Sequence, residues 1–156
     1  MELIPDLKEF IRLFDAHEVK YLIVGGAAVN ALGFVRMTED LDFWLQRSET
    51  NAAKVLAALD AFGFHEFSRD DLLDPKAVLM LGRPPNRIDL LTWISAREFD
   101  DCYPRRVYGR LGGVSVPLIS VDDLLINKLA SGRPKDLADV DEFKRRRIEG
   151  SESAED

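Results

Sequence analysis

The chain has 156 residues, 46% of them hydrophobic and 31% charged, the balance of a single globular domain with a real core. Its net charge of −7 disfavours a broad basic face for nucleic acid. No apolar run approaches the ~20 residues of a bilayer span, and a single cysteine, Cys102, excludes an internal disulfide.

In chain order, "PDLKEFIRLFDAH" (5–17) sets Leu7, Phe10, Ile11 and Phe14 at helical spacing and predicts an amphipathic helix. The opening "MELIPDLKEF" lacks the basic start and apolar core of a signal peptide, so a reducing cytoplasm is the expected location. "YLIVGG" (21–26) predicts a buried strand ended by glycines, and "AAVNAL" a short helix stopped by Gly33. "EDLDFWLQ" alternates and predicts a second strand. "ETNAAKVLAALDAFG" (49–63) is a strong helix closed by Gly63.

Further on, "FHEF" predicts a short strand, and "AVLMLG" (77–82) and "RIDLLTWI" (87–94) predict a hairpin around "RPPN". "RRVYGRLGGVSVPLIS" predicts two strands around Gly112-Gly113. Ser120 and Asp123 resemble a capping box ahead of a helix over "VDDLLINKLA". Pro134 suits the first turn of a last helix, with "KRRR" (144–147) as its solvated end. The sum is an α+β domain over 1–148, a mixed sheet flanked by helices with two helices at the C-terminal end. The acidic tail "EGSESAED" (149–156) is expected to be disordered.

The chemistry centres on "TEDLDFWL" (38–45). In a strand, Asp40 and Asp42 point to one face, some 7 Å apart, and repel each other unless a cation lies between them. A hard divalent ion such as Mg²⁺ takes oxygen ligands and leaves room for phosphates. By itself, D-x-D is more often an exposed strand edge. Asp89 lies in the apolar "NRIDLLTWI" and needs a partner, since burying an unpaired charge is costly. That partner is either a salt bridge to Arg87 or Arg83, or convergence with Asp40 and Asp42 on metal. In "VGGAAVNALG", Gly25 and Gly26 let backbone come close to a ligand, and a helix start offers N–H groups to an anion. The pattern is neither G-x-G-x-x-G nor a P-loop.

Taken together, Val24-Gly25-Gly26, a thirteen-residue spacer, Asp40-Leu41-Asp42-Phe43 and a later Asp89 resemble the motif of the polymerase-β-like nucleotidyltransferase superfamily. "GFVRMTEDLDFWL" and "DLLINKLASGRPKDLADV" are similar to its small bacterial members, including those related to abortive-infection toxin–antitoxin systems. The resemblance implies Mg²⁺-dependent transfer of a nucleotide from a triphosphate such as ATP to a hydroxyl acceptor: a small molecule, a protein or an RNA end. It implies Asp40, Asp42 and Asp89 as metal ligands, Asp89 also activating the acceptor, and Gly25 and Gly26 at the triphosphate. The acceptor site of so small a domain is often completed by a second copy or a toxin–antitoxin partner. Many active members carry Ser where Gly26 stands, so the same fold acting as a weakly catalytic nucleotide-binding or toxin–antitoxin component is the alternative.

Secondary candidates are Lys128, to reach the triphosphate with Asp136 orienting it, or else to tie the last helices in a salt-bridge network. Arg36, with Thr38, just precedes the carboxylates and is a candidate phosphate contact. Trp44 and Trp93 share strand parity with Asp42 and Asp89 and are expected chiefly in packing. A nucleotide-sugar glycosyltransferase would use D-x-D differently, but the chain is short for that class and the Gly-Gly turn has no role there.

Overall fold

"YLIV" is apolar throughout and is buried throughout, as β1 (Tyr21–Val24) at the centre of the sheet. The computed structural model describes residues 5–31, 40–83, 87–111 and 113–155, with the backbone alone for residues 5, 6, 30, 40 and 146–155. Around β1 lie β2 (Asp40–Leu45), β3 (Val78–Leu81), β4 (Arg87–Leu91), β5 (Val107–Leu111) and β6 (Val114–Leu118), in the order β3-β4-β2-β1-β6-β5. β1–β2, β3–β4 and β5–β6 are antiparallel, while β2–β4 and β1–β6 are parallel. This is the mixed α+β sheet the sequence predicts.

Alternation decides what each face does. Tyr21, Leu22, Ile23 and Val24 pair with Leu45, Trp44, Phe43 and Asp42. One face carries Tyr21, Ile23 and Phe43, packed under the apolar stripe of α1 (Pro5–Ala16). Phe43 meets the rings of Phe10, Phe14 and Tyr21 at 5.4, 5.5 and 5.3 Å, and α3 (Glu49–Phe62) packs beside α1. The other face carries Asp42 and Trp44, and Trp44 is buried edge-on against Phe99 at 5.2 Å.

Helix ends follow their capping residues. Ser48 caps α3, and Gly63 closes it at φ 101°. Asn51, buried in its first turn, bonds Lys20 N–H (2.8 Å), Lys20 C=O (3.0 Å) and Gln46 C=O (2.9 Å), so α3 is stitched to the ends of β1 and β2. α6 (Val121–Ser131) starts at Ser120, whose hydroxyl accepts from Asp123 N–H and donates to Asp123 Oδ2. Gly132 then turns the chain into α7 (Pro134–Glu155).

Several expectations change. The short helix after β1, α2, begins two residues early and spans Gly25–Ala31. "FHEF" is not a strand: Phe64 turns back on α3 through its N–H to Leu59 C=O, with Phe62 and Phe64 stacked. α4 (Arg69–Leu73) follows under a full Ser68–Asp71 capping box, and α5 (Phe99–Cys102) with one 3-10 turn precedes β5. α7 continues through Glu155, so "KRRR" lies inside a helix rather than at its end, and residues 149–155 of the acidic tail are helical, with Asp156 outside the described residues. Among the described residues no helix is long and apolar enough to cross a membrane.

Candidate functional site

The parallel pairing of β2 with β4 brings the predicted carboxylates together. Asp42 is the register partner of Asp89, and Asp40 is that of Arg87. Neighbouring strands lie about 4.8 Å apart and register partners share a face, so Asp42 and Asp89 stand side by side. Asp40 opens β2, two residues before Asp42; its side chain, like Arg36 and Thr38, lies outside the described residues. Among the described residues no three His, Cys, Asp or Glu side chains form a metal-binding group. The described part of the expected triad is therefore the Asp42–Asp89 pair.

Asp89 is buried, at 7% exposure, in the apolar β4 segment. Its Oδ2 accepts a hydrogen bond from the Arg87 guanidinium at 3.2 Å. Its Oδ1 lies 3.1 Å from Arg87 Nε, out of line for a hydrogen bond, and has no donor among the described residues. Of the two alternatives in the sequence, the salt bridge to Arg87 is present, and the register sets Asp89 beside Asp42 on the neighbouring strand.

Gly25 follows β1, next to Val24, the register partner of Asp42. It adopts φ +67°, and a Cβ there would collide with Asp42 Oδ2. The left-handed backbone favours glycine, and a Cβ there would push the Asp42 carboxylate aside. Gly26 is the second residue of α2. The donor set suits a hard divalent cation. Two neighbouring carboxylates share a face, and one holds a buried oxygen with no hydrogen-bond donor.

Lys128 is drawn elsewhere. It is buried in the last turn of α6 and donates to Asp136 Oδ1 (3.0 Å) and Asp139 Oδ2 (2.8 Å), both on α7. Asp136 Oδ2 accepts from Ser131 Oγ (2.5 Å) and Arg133 Nε (2.7 Å). Burial works to raise the Asp136 pKa, yet the bonds from Ser131 and Lys128 and the nearby positive charges outweigh it and hold the carboxyl down at about 2. The ammonium is committed to the network that ties α6 to α7. Asp139 was legible as a second partner, one helical turn beyond Asp136.

A third buried carboxylate gave no signal in the sequence beyond its cap. Asp123 accepts from Arg105 at 3.0 and 2.9 Å and from Arg97 at 3.3 Å. Desolvation opposes its ionisation, but Arg105, Ser120 and Arg97 lower its pKa. Beside it Cys102 is buried, and its thiol is pushed up to about 11, first by burial and then by Asp123. Trp93 is 42% exposed with Lys76 over its ring at 4.4 Å, whereas Trp44 belongs to the core.

The mixed six-stranded sheet flanked by helices is compatible with a nucleotidyltransferase-like fold. A candidate nucleotidyltransferase from Thermotoga maritima has a crystal structure that superposes on the chain with a TM-score of 0.56, at 13% identity over 93% of this chain and 97% of that one. At that identity the likeness concerns the fold. The model of a family described as nucleotidyltransferase of unknown function (DUF6036) matches residues 2–145, and the chain belongs to that family. No curated protein matches it.

Proposed function

We propose that this chain is a Mg²⁺-dependent nucleotidyltransferase that moves a nucleoside monophosphate from a triphosphate, such as ATP, to a hydroxyl acceptor. The observation that carries the reading is the register of β2 with β4, which sets Asp42 beside Asp89 on one face. Asp42 and Asp89 would hold the ion, with Asp40 as the third ligand that the motif implies. When bound, the ion supplies positive charge against the phosphates and lowers the pKa of an attacking oxygen. Asp89 Oδ1, with no hydrogen-bond donor, is the atom suited to receive the acceptor's hydroxyl proton. Gly25 keeps backbone, rather than a side chain, against the Asp42 carboxylate, leaving that edge open to phosphate. In the overall reaction the acceptor oxygen bonds to the α-phosphorus and pyrophosphate leaves. A small acceptor or a protein suits the net charge of −7 better than a large RNA. A cytoplasmic setting supplies the triphosphate.

A second reading, a weakly catalytic nucleotide-binding or toxin–antitoxin component, is favoured by Gly26 in place of the serine of many active members, and by the commitment of Lys128 to α7. Incubation with each α-³²P-labelled NTP, Mg²⁺ and a cell extract separates the two. Label transfer by the wild type, reduced at least ~100-fold in Asp42→Asn and Asp89→Asn, supports the enzyme. Nucleotide binding without transfer supports the second reading.

A further inference from the structure

The three buried aspartates among the described residues are treated in two different ways. Asp136 has both oxygens bonded, Oδ1 by Lys128 and Oδ2 by Ser131 and Arg133. Asp123 likewise has Oδ1 bonded by Arg97 and Arg105, and Oδ2 by Arg105 and Ser120. Both are permanent fixtures between elements. Asp89 is buried too, though less deeply, and is only half satisfied: Arg87 bonds one oxygen and stands out of line with the other. An arginine–carboxylate pair gains most from two parallel bonds. Arg87 cannot supply them well here, because it sits two residues from Asp89 on the same strand and must fold back along it. A buried carboxylate oxygen without a donor costs free energy for as long as it stays so. Arg87 thus balances the charge of Asp89 without completing its coordination. Its register partner is Asp40, so the guanidinium belongs to the strand position facing the other end of the D-x-D motif.

We propose that Arg87 is a displaceable resident cation: it neutralises Asp89 in the metal-free protein and is exchanged for the divalent ion when the site is loaded. The inference rests on the metal reading of the Asp42–Asp89 pair. The ion and Arg87 compete for one carboxylate, so each weakens the hold of the other by the same factor. Wild-type protein binds free divalent ion weakly as a result, and removing the guanidinium opens the site.

The test uses Mn²⁺ alone as the probe, titrated calorimetrically and by its paramagnetic signal, with no turnover involved. Arg87→Met is expected to bind Mn²⁺ roughly tenfold more tightly than wild type. Its melting temperature in chelator falls below wild type and recovers when Mn²⁺ is added. Arg87→Lys, which keeps the charge but loses the fork, lies between the two in affinity. Asp89→Asn in the Arg87→Met background removes the gain. If Arg87→Met folds only with Mn²⁺ present, that rescue, absent in the double variant, supports the exchange. Mn²⁺ affinity equal to or weaker than wild type in Arg87→Met overturns the role of Arg87 and leaves the metal reading standing. Absence of Mn²⁺ binding in both proteins overturns the two together.

Discussion

Gly25 is the residue on which the candidate site is most narrowly balanced. Gly25→Ala meets two penalties at once, a left-handed φ of +67° and a Cβ driven into Asp42 Oδ2. A loss of about 1–3 kcal/mol in denaturant unfolding is expected, with label transfer down at least ~10-fold as the carboxylate is pushed aside. Combining it with Asp42→Ala should cost less stability than the sum of the two changes, since the collision is then gone. Asn51 offers the contrasting case of a polar residue whose work is purely architectural. Asn51→Leu strands the N–H of Lys20 and takes a donor from the C=O of Gln46, while the C=O of Lys20 keeps only the Gln46 N–H. It should lower unfolding free energy by about 2–3 kcal/mol. The D-x-D pair and Asp89 could be singled out in the sequence because acidic residues in apolar strands stand out. Asn51 could not, since a polar residue near the start of a helix is ordinary and its partners are remote in sequence.

Between elements, the bond of α6 to α7 is concentrated in Lys128. Lys128→Met takes the shared ammonium from Asp136 and Asp139 and leaves buried Asp136 only Arg133 and Ser131, and a loss of about 3 kcal/mol is expected by thermal or denaturant unfolding. A double-mutant cycle with Asp136→Asn should return strong coupling, because the two side chains hydrogen-bond directly. The sequence held both roles open for Lys128, and its bonds to Asp136 and Asp139, both on α7, bear on the structural one. The elements that were legible are those with a clean period or punctuation: the stripe of α1, the glycine-closed α3, and the β3–β4 hairpin. "FHEF" failed because alternation over four residues is too short to outweigh the aromatic stacking that folds Phe64 back onto α3. α4 and α5 are single turns; the Ser68–Asp71 capping box was the signal for α4, and α5 has no side-chain cap. The parallel contact of β2 with β4, which creates the site, joins strands far apart in sequence and has no local signature at all.

For the molecule as a whole, pH response follows from its buried acids. Asp136 is lowered to about 2 and Asp123 is lowered as well, so their unfolded forms bind protons first as pH falls. Stability from these groups is present above the ordinary value of 3.8 and is lost as pH drops from about 4 toward 2. Urea unfolding at stepped pH should show that acid limb, and Lys128→Met should flatten it. At the alkaline end Tyr21, buried and donating to Asp15 Oδ1 at 2.9 Å, has its pKa raised by desolvation and by Asp15. Its stabilisation fades as pH rises past the ordinary tyrosine value of 10.0.

The same interior gives the protein a built-in chemical clock. Cys102 is fully buried, and its thiol is pushed up to about 11. Near neutral pH the folded chain therefore presents almost no reactive thiolate. Each opening that frees α5 from Trp44 and Arg105 exposes a sulfur that an alkylating reagent captures irreversibly. Because the sequence has one cysteine, the labelling rate under native conditions counts those openings one by one, without any engineered probe.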